Sequence, residues 1–338
     1  MNILAVESSC DETAVAIVRD GRQILTDCIA SQVALHRIYG GVVPEIASRM
    51  HIEAIYGLAD QALEKAGLTR QEIDAVAVTY APGLIGAVLV GVNFAKAAAL
   101  ALNKPLIPVH HIRGHIAANY LADPELKPPF LCLVVSGGHT MFIDVQDYTR
   151  MEILGTTLDD AAGECFDKVA RVLGMPYPGG AALDKAAALG DETKYDLPRS
   201  RQGQNPYDMS FSGLKTAALN LIHHAEQIGE QLDVNSLCAS FSAAVSYTLV
   251  PRTVQALKQT GYKTLAVAGG VAANSRIRRD VLAAAEKLGV KVCLPPLSLC
   301  GDNAAMIGSQ AYYEYLAGNL ADMGLNAYAT KSILGEAI

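Results

Sequence analysis

Two stretches of the chain, far apart, follow one plan. NILAVESS (2–9) and TAVAIVRD (13–20) read as short apolar strands around a polar turn, and FLCLVVSG (130–137) and TMFIDV (140–145) repeat the plan around SGGH. Strand-like runs this close in sequence pair as antiparallel hairpins. An Ala-rich helical stretch follows each hairpin at some distance. A chain that opens twice in this way implies an internal duplication into two lobes, and the Pro-rich, polar LADPELKPPF (121–130) is the natural linker between them. Strands and helices continue to alternate. KTLAVAGGVAANSRIRRDVLAAAEKLG (263–289) is a strand, a glycine turn and a helix, and VKVCLPPLSLCGDNAAMIGSQAYYEYLAG (290–318) is a strand, a Pro-rich loop and a last helix. The pattern predicts α/β layers with ligands at strand-to-helix turns.

A chain of 338 residues, 51% hydrophobic and 18% charged with 29 Gly, has the balance of a compact α/β protein and the length for two domains. Its net charge of −7 provides no global positive field, so an RNA partner has to meet a local patch or another protein. The seven cysteines form no C-x-x-C, which argues against a thiolate zinc site and for reduced thiols in a cytoplasmic protein. MNILAVESSCDE places carboxylates where an export signal needs an apolar run. Ala75 to Ala95 carries no charge, yet Pro82-Gly83 interrupts it, so a buried strand, a turn and a buried helix are expected rather than a membrane span.

Several segments carry candidate chemistry. HHIRGH (110–115) sets His111 and His115 four residues apart, either as two arms of a metal clamp or as two histidines on a helix. Asp302, in CGDNAAMIG, either caps the following helix or supplies the carboxylate that a histidine pair lacks; two His and one carboxylate form the facial set of non-haem Fe(II) sites. Ile112 stands where a zinc peptidase of the H-E-x-x-H type has its glutamate base. VVSGGHT (134–140) is a glycine turn that either closes a tight hairpin or turns backbone N–H groups toward a phosphate, AGGVAANS (268–275) has the same logic at a helix N-terminus, and together they suggest a nucleotide. Asp160, Glu164, Asp167 and Lys168 fall close to one helical face, by default a solvated one. YPGGAALD (177–184) follows, so Asp167 and Asp184 could hold a ribose, and MSFSGLKT (209–216) offers an N-cap with Lys215 in the first turn.

The ordered set ESSCDETAVAIV, YGGVVPEIASRMH, APGLIGAVLVG, PVHHIRGH, VVSGGHT, DDAAGECFDKVARVLG, YPGG, FSGLKT, AGGVAANSRIR and CGDNAAMIG resembles the TsaD family, the bacterial tRNA N6-adenosine threonylcarbamoyltransferases once called glycoproteases, over essentially the full chain. The resemblance implies an actin-like, Hsp70-like (ASKHA) fold: two duplicated mixed-sheet lobes flanked by helices, spanning 1–120 plus 303–338 and 121–302, with the ligand in the inter-lobe cleft. It implies that His111, His115 and Asp302 hold the metal, usually Fe(II), with zinc a substitute in vitro. Val134, Val135, Ser136, Gly137 and Gly138 match the segment lining the phosphate and acyl part of the substrate. Asp167, Gly180, Asp184 and Asn274 match the positions around the nucleoside, which ATP, ADP or AMP can also occupy. His139 is a further candidate beside the reacting groups, against a structural role. Gly301 stands where the family more often has Thr.

The implied reaction moves threonylcarbamoyl from threonylcarbamoyl-AMP to N6 of the adenosine 3′-adjacent to the anticodon of tRNAs reading codons that start with A. Partners implied are TsaB, the ATPase TsaE, tRNA and a Sua5/YrdC-type synthase that supplies the adenylate, with no membrane. Arg276, Arg278 and Arg279, with Arg199 and Arg201, are the expected tRNA contact. A metallopeptidase, a sugar or acetate kinase, and a non-catalytic scaffold resembling TsaB are the competing readings; the missing glutamate base weighs against the first, and the histidine pair against the other two.

Overall fold

The computed structural model describes residues 1–199 and 204–334. The first part of the chain supplies β1 (Asn2–Glu7), β2 (Glu12–Arg19), β3 (Gln23–Ser31), α1 (Val33–His36), α2 (Pro44–Ala66), β4 (Ala75–Ala81), α3 (Ile85–Leu102), β5 (Leu106–His110) and α4 (His111–Ala122). There follow β6 (Phe130–Val135), β7 (Thr140–Val145), β8 (Met151–Thr156), α5 (Ala162–Val172), α6 (Gly179–Ala187), α7 (Ser212–Ile228), α8 (Val234–Thr260), β9 (Thr264–Ala268), α9 (Ser275–Lys287), β10 (Lys291–Cys293) and α10 (Ala304–Leu316).

Two compact units result. Unit 1 comprises Met1–Pro128, Gln146–Met151 and the chain from Pro295; unit 2 comprises Pro129–Val145 and Glu152–Leu294. The boundaries lie at 128/129 and 294/295, where the sequence suggested 120/121 and 302/303. Hydrogen bonding accounts for the difference at the first crossing: the Arg22 guanidinium donates to the carbonyls of Tyr120, Asp123 and Leu126, tying the presumed linker to unit 1. The same unit takes the 146–151 insert, because Tyr148 stacks on Tyr313 at 3.8 Å and its carbonyl accepts from Gln310.

Each unit holds a five-stranded mixed sheet, and the two sheets have the same plan. Unit 1 is ordered β3-β2-β1-β4-β5 and unit 2 β8-β7-β6-β9-β10. In both, the opening hairpin is antiparallel (Leu4 opposite Ile17; Leu133 opposite Phe142), and the first strand then pairs in parallel with the next strand inward, β1 with β4 and β6 with β9. The duplication expected from the two hairpins is thus carried through whole sheets.

Alternation along the strands decides which helices cover the first sheet. Leu4, Val6, Val15, Ile17, Val76 and Val78 point to α2 and α3, where Ile55, Ala59, Val88 and Val92 meet them. Ile3, Ala5, Ala16, Val18 and Ala77 point to the opposite face with Ala304, Met306 and Ile307 of α10. Full burial of each Val, Leu or Ile contributes about 1.5–3 kcal/mol. Small residues bring α10 close: a Cβ on Gly308 would lie 2.7 Å from Val18 Cγ2 and 3.2 Å from Ala5 Cβ. In unit 2 helix α8 packs on β6, α6, α7 and α9, with Phe166 of α5 edge-on to Phe241 of α8.

The uncharged segment resolves into β4, a Pro82-Gly83 turn and α3 as expected. The turn is tight because a Cβ on Gly83 would lie 2.6 Å from the Ser9 carbonyl. Helix α3 is long and apolar enough to cross a membrane by length and composition. It is less buried than the sequence suggested: Ala87, Val88, Gly91, Val92, Ala95 and Ala99 face the sheet, while Ile85, Leu89 and Leu100 are exposed.

Candidate functional site

Strand β5 ends at His110, and the chain turns directly into α4. The His110 ring caps that helix, accepting from Ile112 N at 3.2 Å, while its Nε2–H donates to the Lys331 carbonyl at 3.0 Å. Arg113 adds bonds to Glu314 and to the Ile333 carbonyl. Helix α4 is therefore anchored at the turn that carries His111, and His115 follows one turn later on the same face. The two imidazoles lie edge-to-face with centroids 4.6 Å apart.

Asp302 approaches from the residues before α10. It does not cap that helix: Asn303 does, its side-chain oxygen accepting from Met306 N at 2.9 Å and its amide nitrogen donating to the Gly301 carbonyl. The carboxylate of Asp302 is thereby left to face the histidines, with Oδ1 3.4 Å from His111 Nε2 and 3.2 Å from His115 Nε2. The three residues offer ligand atoms within 4.8 Å of one another, and all three belong to unit 1. Asp302 is grouped with the histidines, not with the 121–302 lobe suggested by the sequence. Among the described residues no atom lies within 4 Å of a Cβ added to Gly301, which has no positive φ, so Thr would be accommodated there.

The sequence reading missed Glu7, which fixes how this set is presented. Fully buried at the end of β1, it accepts from Ser9 N at 2.5 Å, Thr79 Oγ1 at 2.5 Å and His111 Nδ1 at 3.0 Å. A proton on Nδ1 leaves the Nε2 lone pair directed at the point where His115 Nε2 and Asp302 Oδ1 converge. Electrostatics agree. Burial alone would push the His111 imidazole down, but Asp302 and Glu7 on either side reverse this and hold it well above its ordinary value. Burial alone would raise Asp302, whereas the two histidines keep its carboxyl far below the usual range. Negative charge here calls for a cation, supplied by imidazolium protons or by a metal. His115 Nδ1 is buried with no hydrogen-bond partner among the described residues. Two imidazole nitrogens and one carboxylate oxygen suit a first-row divalent metal, so the residues present fit the implied ion.

The other candidates belong to unit 2, where two glycine turns meet. Ser136 N donates to the His139 carbonyl at 2.7 Å and closes the turn after Val134 and Val135 of β6. Gly137 and Gly138 stand exposed, with nothing among the described residues within 4 Å of an added Cβ. Gly269, at φ +93°, packs so closely that a Cβ would lie 2.5 Å from the Val135 carbonyl. The turns after β6 and β9 thus lie side by side.

Asp167 accepts from Gly180 N at 3.1 Å. Asp184 accepts from Ser275 N and, at 2.8 Å, from Ser275 Oγ, next to Asn274, which caps α9 by accepting from Ile277 N. His139 lies outside the metal cluster, and its backbone closes the 136–139 turn.

Helix α7 is capped from outside by Asp159, which accepts from Phe211 N and Ser212 N, and not by its own serine. Asp160, Glu164 and Lys168 are not simply solvated; Lys215 pairs with Asp160, and Lys168 bridges Asp160 and Glu164. The basic run is also partly committed. Arg276 and Arg279 pair with Glu192 and Asp280, Arg278 donates to the Ala272 carbonyl, and the Arg199 guanidinium lies 4.3 Å from the Tyr247 ring centre. Arg201 lies outside the described residues.

The fold resembles HypF from T. kodakarensis (TM-score 0.62, 16% identity, 96% of this chain and 49% of that one). It also resembles component A of (R)-2-hydroxyglutaryl-CoA dehydratase from Acidaminococcus fermentans (TM-score 0.54, 16% identity, 94% and 99%). With two mixed sheets of one plan, each flanked by helices, these likenesses establish the actin-like, Hsp70-like (ASKHA) fold. The tRNA N6-adenosine threonylcarbamoyltransferase of Moorella thermoacetica is 55% identical over 96% of this chain and 95% of its own length, and that of Clostridium perfringens is 51% identical over 96% of each. The family model "TsaD: tRNA N6-adenosine threonylcarbamoyltransferase" matches residues 23–309. With most of its length covered by that match, the chain belongs to the TsaD family of tRNA N6-adenosine threonylcarbamoyltransferases.

Proposed function

We propose that this chain transfers the threonylcarbamoyl group from threonylcarbamoyl-AMP to N6 of the adenosine 3′-adjacent to the anticodon in tRNAs reading codons that start with A. The N6 amine attacks the carbamoyl carbon, a C–N bond forms, the bond from that carbon to the phosphate oxygen breaks, and AMP departs with the electron pair. The N6 proton passes to solvent. Family membership together with the His111–His115–Asp302 convergence carries the reading.

His111, His115 and Asp302 would hold the metal, Fe(II) by family resemblance. When bound it supplies Lewis acidity toward a carbamoyl or phosphate oxygen. Glu7 holds the Nδ1 proton of His111 and so directs Nε2 to the ion. In unit 2 the turn at Val134, Val135, Ser136, Gly137 and Gly138 is suited to the phosphate and acyl part, because glycines leave backbone N–H groups approachable. Asp167 and Asp184, with Gly180 and Asn274 beside them, are suited to the ribose hydroxyls of the nucleotide. ATP, ADP and AMP share that nucleoside and would compete for it.

TsaB and TsaE are proposed as partners, with a Sua5/YrdC-type enzyme as the source of adenylate and the cytoplasm as the place. A protein partner needs an apolar landing surface, and unit 1 exposes Ile52 and Tyr56 on α2 with Ile85 and Leu89 on α3.

The test is reconstitution. Purified protein with TsaB, TsaE, threonylcarbamoyl-AMP and unmodified tRNA is expected to yield threonylcarbamoyladenosine. Asp302→Ala is expected to lose bound metal and most of the product, on the order of 100-fold or more. Full activity in the metal-free variant would refute the role given to the triad.

A further inference from the structure

Between β1 and β2 the chain makes a turn through Ser9, Cys10 and Asp11, and three consecutive carbonyls of that turn are each held by a different element. Leu84 N, just before α3, donates to the Ser9 carbonyl at 2.8 Å. Gln32 N, just before α1, donates to the Asp11 carbonyl at 2.9 Å. The middle carbonyl, Cys10, is bonded at 2.9 Å by His51 Nε2 from within α2. Two of these donors are main chain; only His51 is a side chain.

The geometry assigns the His51 tautomer. A carbonyl oxygen only accepts, so Nε2 carries the proton. Nδ1 then accepts from the Thr13 hydroxyl at 2.7 Å. Both ring nitrogens of a fully buried imidazole are satisfied in its neutral form. Gln32 supports the ring from the side: its amide nitrogen donates to the Ala47 carbonyl and lies 3.5 Å from His51 Nδ1, and its oxygen accepts from His36 Nε2 at 3.1 Å.

The same turn reaches the metal candidates through Ser9. Ser9 N donates to Glu7, and Ser9 Oγ lies 3.3 Å from His111 Nδ1. We infer that His51 is a positioning residue of the His111–His115–Asp302 centre: its bond to the Cys10 carbonyl sets the turn that fixes Glu7 and, through it, the ligand nitrogen of His111. It acts on the centre only through the Ser9–Cys10 turn, Glu7 and His111, and touches no ligand atom itself. The inference rests on the metal reading of the triad.

Zinc affinity of the purified metal-free protein, measured by competition with a chromophoric chelator, tests it. Groups that orient metal ligands typically change affinity 10–100-fold; His51→Leu, which keeps bulk and loses the donor, is expected to weaken zinc about tenfold. His51→Gln, whose amide nitrogen can occupy the Nε2 position, is expected to stay within about threefold of wild type. A role in packing alone predicts the reverse order, because Leu fills the apolar space better than Gln. Leu binding zinc as tightly as wild type would overturn the inference while leaving the triad standing; no zinc binding by wild type would overturn both. Should the Leu variant fail to fold, ¹⁵N spectra of the wild-type histidines decide. A His51 ring protonated at Nε2 alone is expected, and protonation at Nδ1 refutes the assignment.

Discussion

Nδ1 of His111 lies 3.0 Å from Glu7 Oε2, and Glu7 Oε1 accepts from Ser9 N at 2.5 Å, so both carboxylate oxygens are used as acceptors. An amide cannot copy this. If Glu7→Gln keeps its oxygen toward His111 and Thr79, its NH₂ meets the Ser9 N–H; if it turns over, NH₂ meets the His111 proton. Either orientation sets two donors against each other in a fully buried site. The expected result is a 10–100-fold loss of zinc affinity, read by chelator competition, with the change concentrated in metal binding.

This residue also marks where the sequence stops being informative. His111 and His115 were recognisable as a pair from i, i+4 spacing alone. Asp302 could be offered from donor chemistry only as an alternative to a helix cap; the family resemblance chose between the two, since no local spacing links distant segments. Glu7 stood in plain view within ESSCDE, yet a strand-end glutamate facing solvent reads identically. Its burial is set by β4 and α4, which supply Thr79 and His111.

At the scale of elements, the position of Asp302 depends on how α10 sits on the first sheet. Gly308 permits that seat: Val18 Cγ2 and Cβ would lie 2.7 and 2.9 Å from an added Cβ. Gly114 does the same on α4, where Ile307 Cδ1 would be 2.6 Å away. These are close approaches of helix to sheet and helix to helix, and no hydrophobic periodicity announces them. Gly308→Val has to move α10, its neighbours being β-branched or backbone-anchored side chains. Overpacking of this kind costs about 1–3 kcal/mol. Denaturant unfolding is expected to show that loss, with weaker zinc binding because Asp302 moves with α10. Zinc affinity unchanged despite a lost kilocalorie or more would mean that Asp302 is held by its own loop instead.

For the whole molecule, the duplication was legible because hairpin pattern is local, and the matching β4/β9 and β5/β10 pairings complete it. The unit boundaries were less so: Arg22 and Tyr148 hold residues 120–126 and 148 to unit 1 by bonds that composition does not encode. The dependence of stability on pH belongs to this scale as well. Asp27 is pushed up to about 6 by burial, against backbone N–H groups of Ala304 and Ala305 that lower it, and its Oδ1 has no partner among the described residues. A carboxyl raised in the folded state favours folding fully below its ordinary value near 3.8, and that contribution fades as pH rises through about 6. Above 6 the ionised form is a standing cost of ~3 kcal/mol. Asp27→Asn removes the ionisation while keeping an oxygen to accept from α10. The variant is expected to be more stable than wild type by ~3 kcal/mol at pH 7–8, with the difference shrinking toward zero at pH 4, in denaturant unfolding of the metal-free protein. The acids of the metal centre run the other way, since Glu7 and Asp302 are lowered in the fold and their contribution is lost as pH falls. Comparing variant with wild type at each pH cancels that background, and a gap independent of pH would show that Asp27 does not titrate in the folded protein.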